Sequence, residues 1–161
     1  MASPPLIDLD AIDLSRVIAS REDTLRLLKQ RGRFSLLDGV LHRDEGRGLI
    51  VGFKDIRADE WWAADHIPGR PIFPGALMIE TGAQLCSYDY LCRQDAESFP
   101  FIGFGGLNAT RFRGLVVPGV RMLFVCKVNR IRRTMFTYLV QGLVEGKLVF
   151  ETEVIGVVIR K

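Results

Sequence analysis

The chain has 161 residues, 48% of them hydrophobic, and a formal net charge of +3 from 22 basic and 19 acidic side chains. That length suits one domain with a true apolar core and excludes a small scaffold held by disulfides. So weak and scattered a charge excludes a nucleic-acid footprint, while leaving room for an acidic partner.

Cys86, Cys92 and Cys126 form an odd set without paired spacing, which points to free thiols in a reducing compartment. His42 and His66 are the only histidines, and no metal-ligand spacing occurs, so no metal site is expected. The N-terminus runs from Met1-Ala2-Ser3-Pro4-Pro5 into Asp8, Asp10 and Asp13, unlike an export or transit leader. No stretch reaches the roughly 18 apolar residues of a membrane span. A cytoplasmic protein is expected.

In chain order, residues 1–20 mix prolines and acids with a weak apolar period and are expected to be an extension before a single domain over 21–161. Ser20 and Asp23 have capping-box spacing, Leu25, Leu27 and Leu28 give an apolar side, and Gly32 stops the run, which predicts a helix over about 21–31. Leu49, Ile50, Val51, Phe53 and Ile56 predict a strand over 48–56. Three prolines and two glycines make 67–75 an ordered loop without regular structure. Residues 76–92 form the longest helical candidate, apolar or small around most of its circumference, and so buried on nearly every side. From Phe101 to Ile159 the chain is rich in Val, Phe, Ile and Thr, with breaks at Gly105-Gly106, Pro118-Gly119 and Glu145-Gly146-Lys147, and predicts successive antiparallel hairpins. One buried helix against a mostly antiparallel sheet requires a strongly curved sheet.

The chemistry concentrates between His66 and Glu80. Glu80 falls one turn into the apolar helix, with Leu77, Met78, Ile79, Ala83 and Leu85 around it and no cation nearby in sequence. Burial raises a carboxyl pKa, so Glu80 can hold a proton near neutral pH and donate it to a leaving oxygen. Its plainer use is a helix glutamate that reaches solvent or a basic partner. Gln84, four residues on, shares that helix face and can orient the carboxyl, or be an ordinary satisfied amide. His66 is the one candidate neutral base near Glu80, although a lone histidine is more often structural. Pro74-Gly75-Ala76 opens the helix, where amides without an internal partner can hold an oxygen that gains negative charge. Proline and glycine there also serve packing alone.

Base, acid and amide donors together describe β-elimination of water beside a carbonyl, and the same parts suit thioester hydrolysis or a passive acyl pocket. The segment 66–84, with fourteen residues from His66 to Glu80 and Pro71, Pro74, Gly75 and Gln84 in place, resembles the hotdog-fold 3-hydroxyacyl-[acyl-carrier-protein] dehydratases. The likeness continues through Leu107-Asn108-Ala109-Thr110-Arg111-Phe112, Val117-Pro118-Gly119 and the closing hairpin at Val144 to Leu148, and covers roughly 33–159.

The resemblance implies an α+β hotdog fold, in which a long central helix is wrapped by a curved antiparallel sheet. It implies a homodimer, with a possible higher oligomer, in which His66 of one protomer faces Glu80 of the other. His66 would be the base, Glu80 the acid, and the amide of Gly75 or Ala76 the holder of the thioester carbonyl. No cofactor is implied. Phe73, Met78, Phe104 and Phe112 are candidate walls of an acyl tunnel. The substrate would ride on acyl carrier protein or coenzyme A, and Arg130, Arg132 and Arg133 resemble the family's docking turn for that acidic carrier. They can equally be solubilising turn residues.

Two departures stand out: Pro118-Gly119-Val120 replaces Pro-Gly-Asp, and the early His-Arg-x-Pro-Phe segment becomes Arg31-Gly32-Arg33-Phe34-Ser35. A hotdog thioesterase and a non-catalytic acyl-binding hotdog domain are the rival functions. The presence of both His66 and Glu80 argues against each.

Overall fold

The computed structural model describes residues 1–95 and 101–159. Seven antiparallel strands make one sheet: β1 (Ala19–Ser20), β2 (Gly39–Asp44), β3 (Leu49–Ile56), β4 (Phe101–Phe112), β5 (Val120–Ile131), β6 (Met135–Val144) and β7 (Lys147–Ile159). Their spatial order is β1-β2-β3-β5-β6-β7-β4. The helices are α1 (Arg21–Leu25), α2 (Trp61–Asp65) and the 18-residue α3 (Gly75–Cys92). The sheet curves around α3, which packs on β3, β5, β6 and β7. This is the hotdog fold.

The predicted helix 76–92 is α3 to within one residue, and its buried positions include every residue from Thr81 to Leu85 together with Cys86. Contact on all sides follows from a sequence with no polar stripe. Gly82 lets the helix sit down on the sheet, since a Cβ there would come within 3.0 Å of Val140 Cγ1. At the helix's far end Asp89, fully buried, accepts from Arg43 Nε and Arg93 Nε, each at 2.8 Å, and from the Tyr138 hydroxyl at 2.6 Å. That cluster ties α3 to β2 and β6.

The strand predicted over 48–56 is β3. Its consecutive apolar residues reflect burial on both faces. Ile50 joins the core under α3, while Leu49 and Val51 join a second cluster with Val125 and Ile7 on the sheet's other side. Residues of the N-terminal segment cover that side, with Leu6, Leu9, Ile12 and Leu14 against it. Gln141 anchors the segment, accepting from the Leu6 amide and donating to the Pro4 carbonyl.

Three expectations are corrected. The helix predicted over 21–31 has its capping box, with Ser20 and Asp23 bonded both ways, but ends at Leu25. The Arg31 guanidinium donates to the Leu25, Leu28 and Gln30 carbonyls, and Leu28 turns into the core instead of continuing the helix. Gly105-Gly106 lies inside β4 at a register shift, so these glycines make a bulge and not a turn. The strands β5, β6 and β7 are neighbouring antiparallel hairpins as predicted, but β4 does not pair with the strand that follows it and instead lies against β7 at the far edge of the sheet. The Glu145-Gly146 turn between β6 and β7 is as predicted, with φ of 49° and 75°.

Candidate active site

His66 is the residue that ends α2, and its amide donates to the Trp62 carbonyl at 2.9 Å. Its Nδ1 lies 2.8 Å from the Ile72 carbonyl oxygen. A carbonyl only accepts, so Nδ1 carries the proton, and in the neutral ring Nε2 keeps its lone pair. The loop 67–75 therefore bends back to fix both ring and tautomer. The imidazole is exposed in the protomer, free to meet a substrate.

The same loop sets the start of α3. Pro74 is the N-cap, with φ −62° and ψ 134°, and offers no side-chain cap. The Leu77 and Met78 amides both donate to the Pro74 carbonyl, which leaves the Gly75 and Ala76 amides with no acceptor in the helix. Gly75 has no room for a side chain, because a Cβ would fall 2.7 Å from the Phe112 ring. Two N–H groups at a positive helix end, on a backbone stripped of its side chain, suit an oxygen with developing negative charge.

Glu80 is half-buried. Burial pushes its carboxyl above the ordinary glutamate range, against the opposing effect of the Gln84 and Gln30 amides. Gln84 Nε2 donates to Glu80 Oε1 at 2.9 Å and to the Phe34 carbonyl at 2.7 Å, while its Oε1 accepts from the Leu36 and Leu37 amides. It is nearly inaccessible and fully bonded, so it locks the carboxyl's direction and pins residues 34–37 to α3. A cavity of about 50 Å³ opens on Glu80, lined among others by Gln30, Gln84, Ser87, Phe104 and Phe136, with no second ionisable side chain in its wall.

Glu80, Gln84 and Phe104 thus share one cavity, and Gly75 and Phe112 share another contact. His66 is not among the residues that line the Glu80 cavity. Phe73 is in the protomer core, edge-on to Trp62 at 5.1 Å, and Met78 is buried likewise. Phe104 and Phe112 are about half exposed along edge strand β4, with Phe112 stacked on Phe150. Arg130, Arg132 and Arg133 are exposed at the β5–β6 turn. A separate cavity of about 1100 Å³, between the N-terminal segment and the outer face of the sheet, is lined by none of these residues. Gln30 and Ser87 escaped sequence reasoning. Gln30 meets Glu80 across fifty residues of chain, and no local pattern signals such a contact.

The fold and this arrangement define a hotdog protein with a histidine, a protonatable glutamate and an open helix start. Residues 28–153 match the FabA-like domain family. A curated 3-hydroxyacyl-[acyl-carrier-protein] dehydratase FabZ from Escherichia coli is 33% identical over 133 residues, spanning 81% of this chain and 86% of its own length. FabZ of Desulfotalea psychrophila is 31% identical, over 82% and 88%. The chain belongs to the FabA-like family. Among solved structures, a chain of the dehydratase heterocomplex ApeI:P from Xenorhabdus doucetiae superposes with TM-score 0.75 at 14% identity, covering 91% of this chain and 94% of that one. A mutant thioesterase PA1618 from Pseudomonas aeruginosa gives TM-score 0.65 at 15% identity, covering 91% and 99%. At such identities these two establish the fold alone, and the fold serves both kinds of enzyme. Among the described residues no helix is long and apolar enough to cross a membrane.

Proposed function

We propose that this protein is a 3-hydroxyacyl thioester dehydratase, which removes water to give the trans-2-enoyl thioester in fatty acid or related acyl-chain synthesis. The observation that carries the reading is that the base and acid of its family are both present and both physically prepared. Nε2 of His66 is left with a lone pair by the Nδ1 bond to Ile72, and burial favours the protonated form of Glu80. His66 takes the α-proton, the Gly75 or Ala76 amide holds the carbonyl oxygen as charge gathers on it, and Glu80 gives its proton to the departing hydroxyl. Gln84 keeps the Glu80 carboxyl in place.

The acid site is completed by a partner subunit. In one protomer His66 is not among the residues that line the Glu80 cavity, and β4 presents Phe101, Phe104, Leu107 and Phe112 at the sheet edge, 38% to 54% exposed, as an apolar face that a second copy would cover. The substrate is an acyl carrier protein thioester, like that after which the FabZ relatives are named, and Arg130, Arg132 and Arg133 form the docking turn. The cytoplasm is the compartment of such a carrier.

Hydration of an enoyl thioester such as crotonyl-pantetheine or crotonyl-carrier, followed by loss of enoyl absorbance, tests the assignment. Water addition that disappears in His66→Ala and in Glu80→Gln is the expected result. Release of free thiol without hydration would instead establish a thioesterase, and acyl binding without either reaction a binding domain.

A further inference from the structure

We infer that Gln30 is a specificity-determining contact of the acid site, whose side-chain oxygen receives a hydrogen bond from the substrate's departing 3-hydroxyl group. This rests on the dehydratase reading above. Gln30 stands in the irregular chain after α1 and lines the same small cavity as Glu80, Gln84 and Ser87. Its Oε1 is buried and has no hydrogen-bond partner. Such orphaned acceptors are rare in folded proteins, and one beside an acid, in a cavity, calls for a donor from outside the chain. The other flanking amide is unavailable for that purpose, since Gln84 Oε1 already accepts from Leu36 and Leu37 and its Nε2 already donates to Phe34 and Glu80. The Gln30 amide meanwhile acts on the Glu80 carboxyl itself, so both ends of one side chain bear on the same proton transfer.

An O–H group satisfies the free Oε1, whereas a 3-oxo group brings a second acceptor to it and a methylene brings nothing. With its hydrogen held by Gln30, the hydroxyl oxygen turns a lone pair toward the Glu80 proton. When His66 takes the α-proton, the freed electron pair forms the Cα–Cβ double bond. The Cβ–O bond breaks with its pair on oxygen, and that oxygen takes the Glu80 proton and leaves as water, still bonded to Gln30. The site thereby prefers the 3-hydroxyacyl thioester to its 3-oxo analogue. A polar site that leaves its own group unpaired rejects the wrong analogue far better than an apolar one does.

The test uses the full chain in a His66→Ala background, which prevents turnover, and three pantetheine thioesters of one chain length: unsubstituted, 3-hydroxy and 3-oxo. Calorimetry is expected to give tighter binding of the 3-hydroxy than of the 3-oxo compound by about tenfold, the worth of one hydrogen bond. Adding Gln30→Met, which keeps volume and removes the acceptor, should bring that ratio close to one without changing the affinity of the unsubstituted thioester. Gln30→Leu repeats the measurement should the methionine variant melt early. An unchanged ratio in a folded variant overturns the inference, as does an equal loss for all three ligands, which marks a purely structural side chain. Hydration of crotonyl-pantetheine by the wild-type protein separates the two failures. If the wild type does not hydrate, the dehydratase reading falls, whereas hydration with an insensitive ratio removes Gln30 alone.

Discussion

One helix carries two acids nine residues apart, Asp89 fully buried and Glu80 half-buried, and their surroundings differ in kind. Asp89 meets two guanidinium groups, which are always cationic, and a phenol. The phenol of Tyr138 is itself pushed well above its ordinary range by burial and by the neighbouring Asp89. Glu80 meets two uncharged amides and the apolar wall of a small cavity, so burial raises its pKa and only those amides, with no cation, oppose it. The first environment pairs a carboxyl with two cations, and burial in the second favours the protonated form of a carboxyl. Which end of α3 is architecture and which is chemistry is decided by what the rest of the fold brings to each carboxyl.

That contrast can be broken at either end. The largest expected effect is on turnover, where His66→Ala and Glu80→Gln should each slow enoyl hydration by about 10²- to 10⁴-fold, the usual worth of a positioned acid or base, with melting curves still cooperative. Activity within a few-fold of wild type would take that residue out of the mechanism. At the other end, Asp89→Ala leaves Arg43 and Arg93 facing each other with no anion between them. It should cost about 3–5 kcal/mol of stability in urea unfolding, as removal of one partner from a buried ion cluster does. A loss below about 1 kcal/mol, the range of an exposed pair, would show that water reaches the cluster.

Gln84→Ala should be milder, at about 1–3 kcal/mol, because it strands the Leu36 and Leu37 amides away from water. It should also lower turnover, since the Glu80 carboxyl loses its fixed direction. The smallest effect concerns pH. The Glu80 pKa is raised in the folded protein, so between its unfolded and folded values the native state binds the extra proton, and stability falls as pH rises through that window. Glu80→Gln has no such proton to lose. The melting temperature of the variant relative to wild type should therefore climb as pH rises above the ordinary glutamate range, and a flat difference would show Glu80 to be solvated.

The elements legible in the sequence were those set by near neighbours. A polar-free run with helical length gave α3, a β-branched and apolar run gave β3, and the Ser20–Asp23 spacing gave the start of α1. Strand β2 was missed because only Val40 and Leu41 of its six residues are apolar, and α2 because five residues hold too little periodicity to detect. The end of α1 lay in the reach of Arg31, a side chain whose targets are invisible in a linear pattern.

By itself, then, the sequence determined the helix–sheet class, the proline-bound loop and the spacing of His66, Gly75, Glu80 and Gln84, since each follows from backbone preference or from a motif counted along the chain. Only the tertiary structure decided which His66 nitrogen is free and why two carboxyls on one helix differ. Those properties depend on the Ile72 carbonyl, on Gln30 and on the pair Arg43 and Tyr138, and burial and hydrogen bonding act through distances that close only when separate segments fold together.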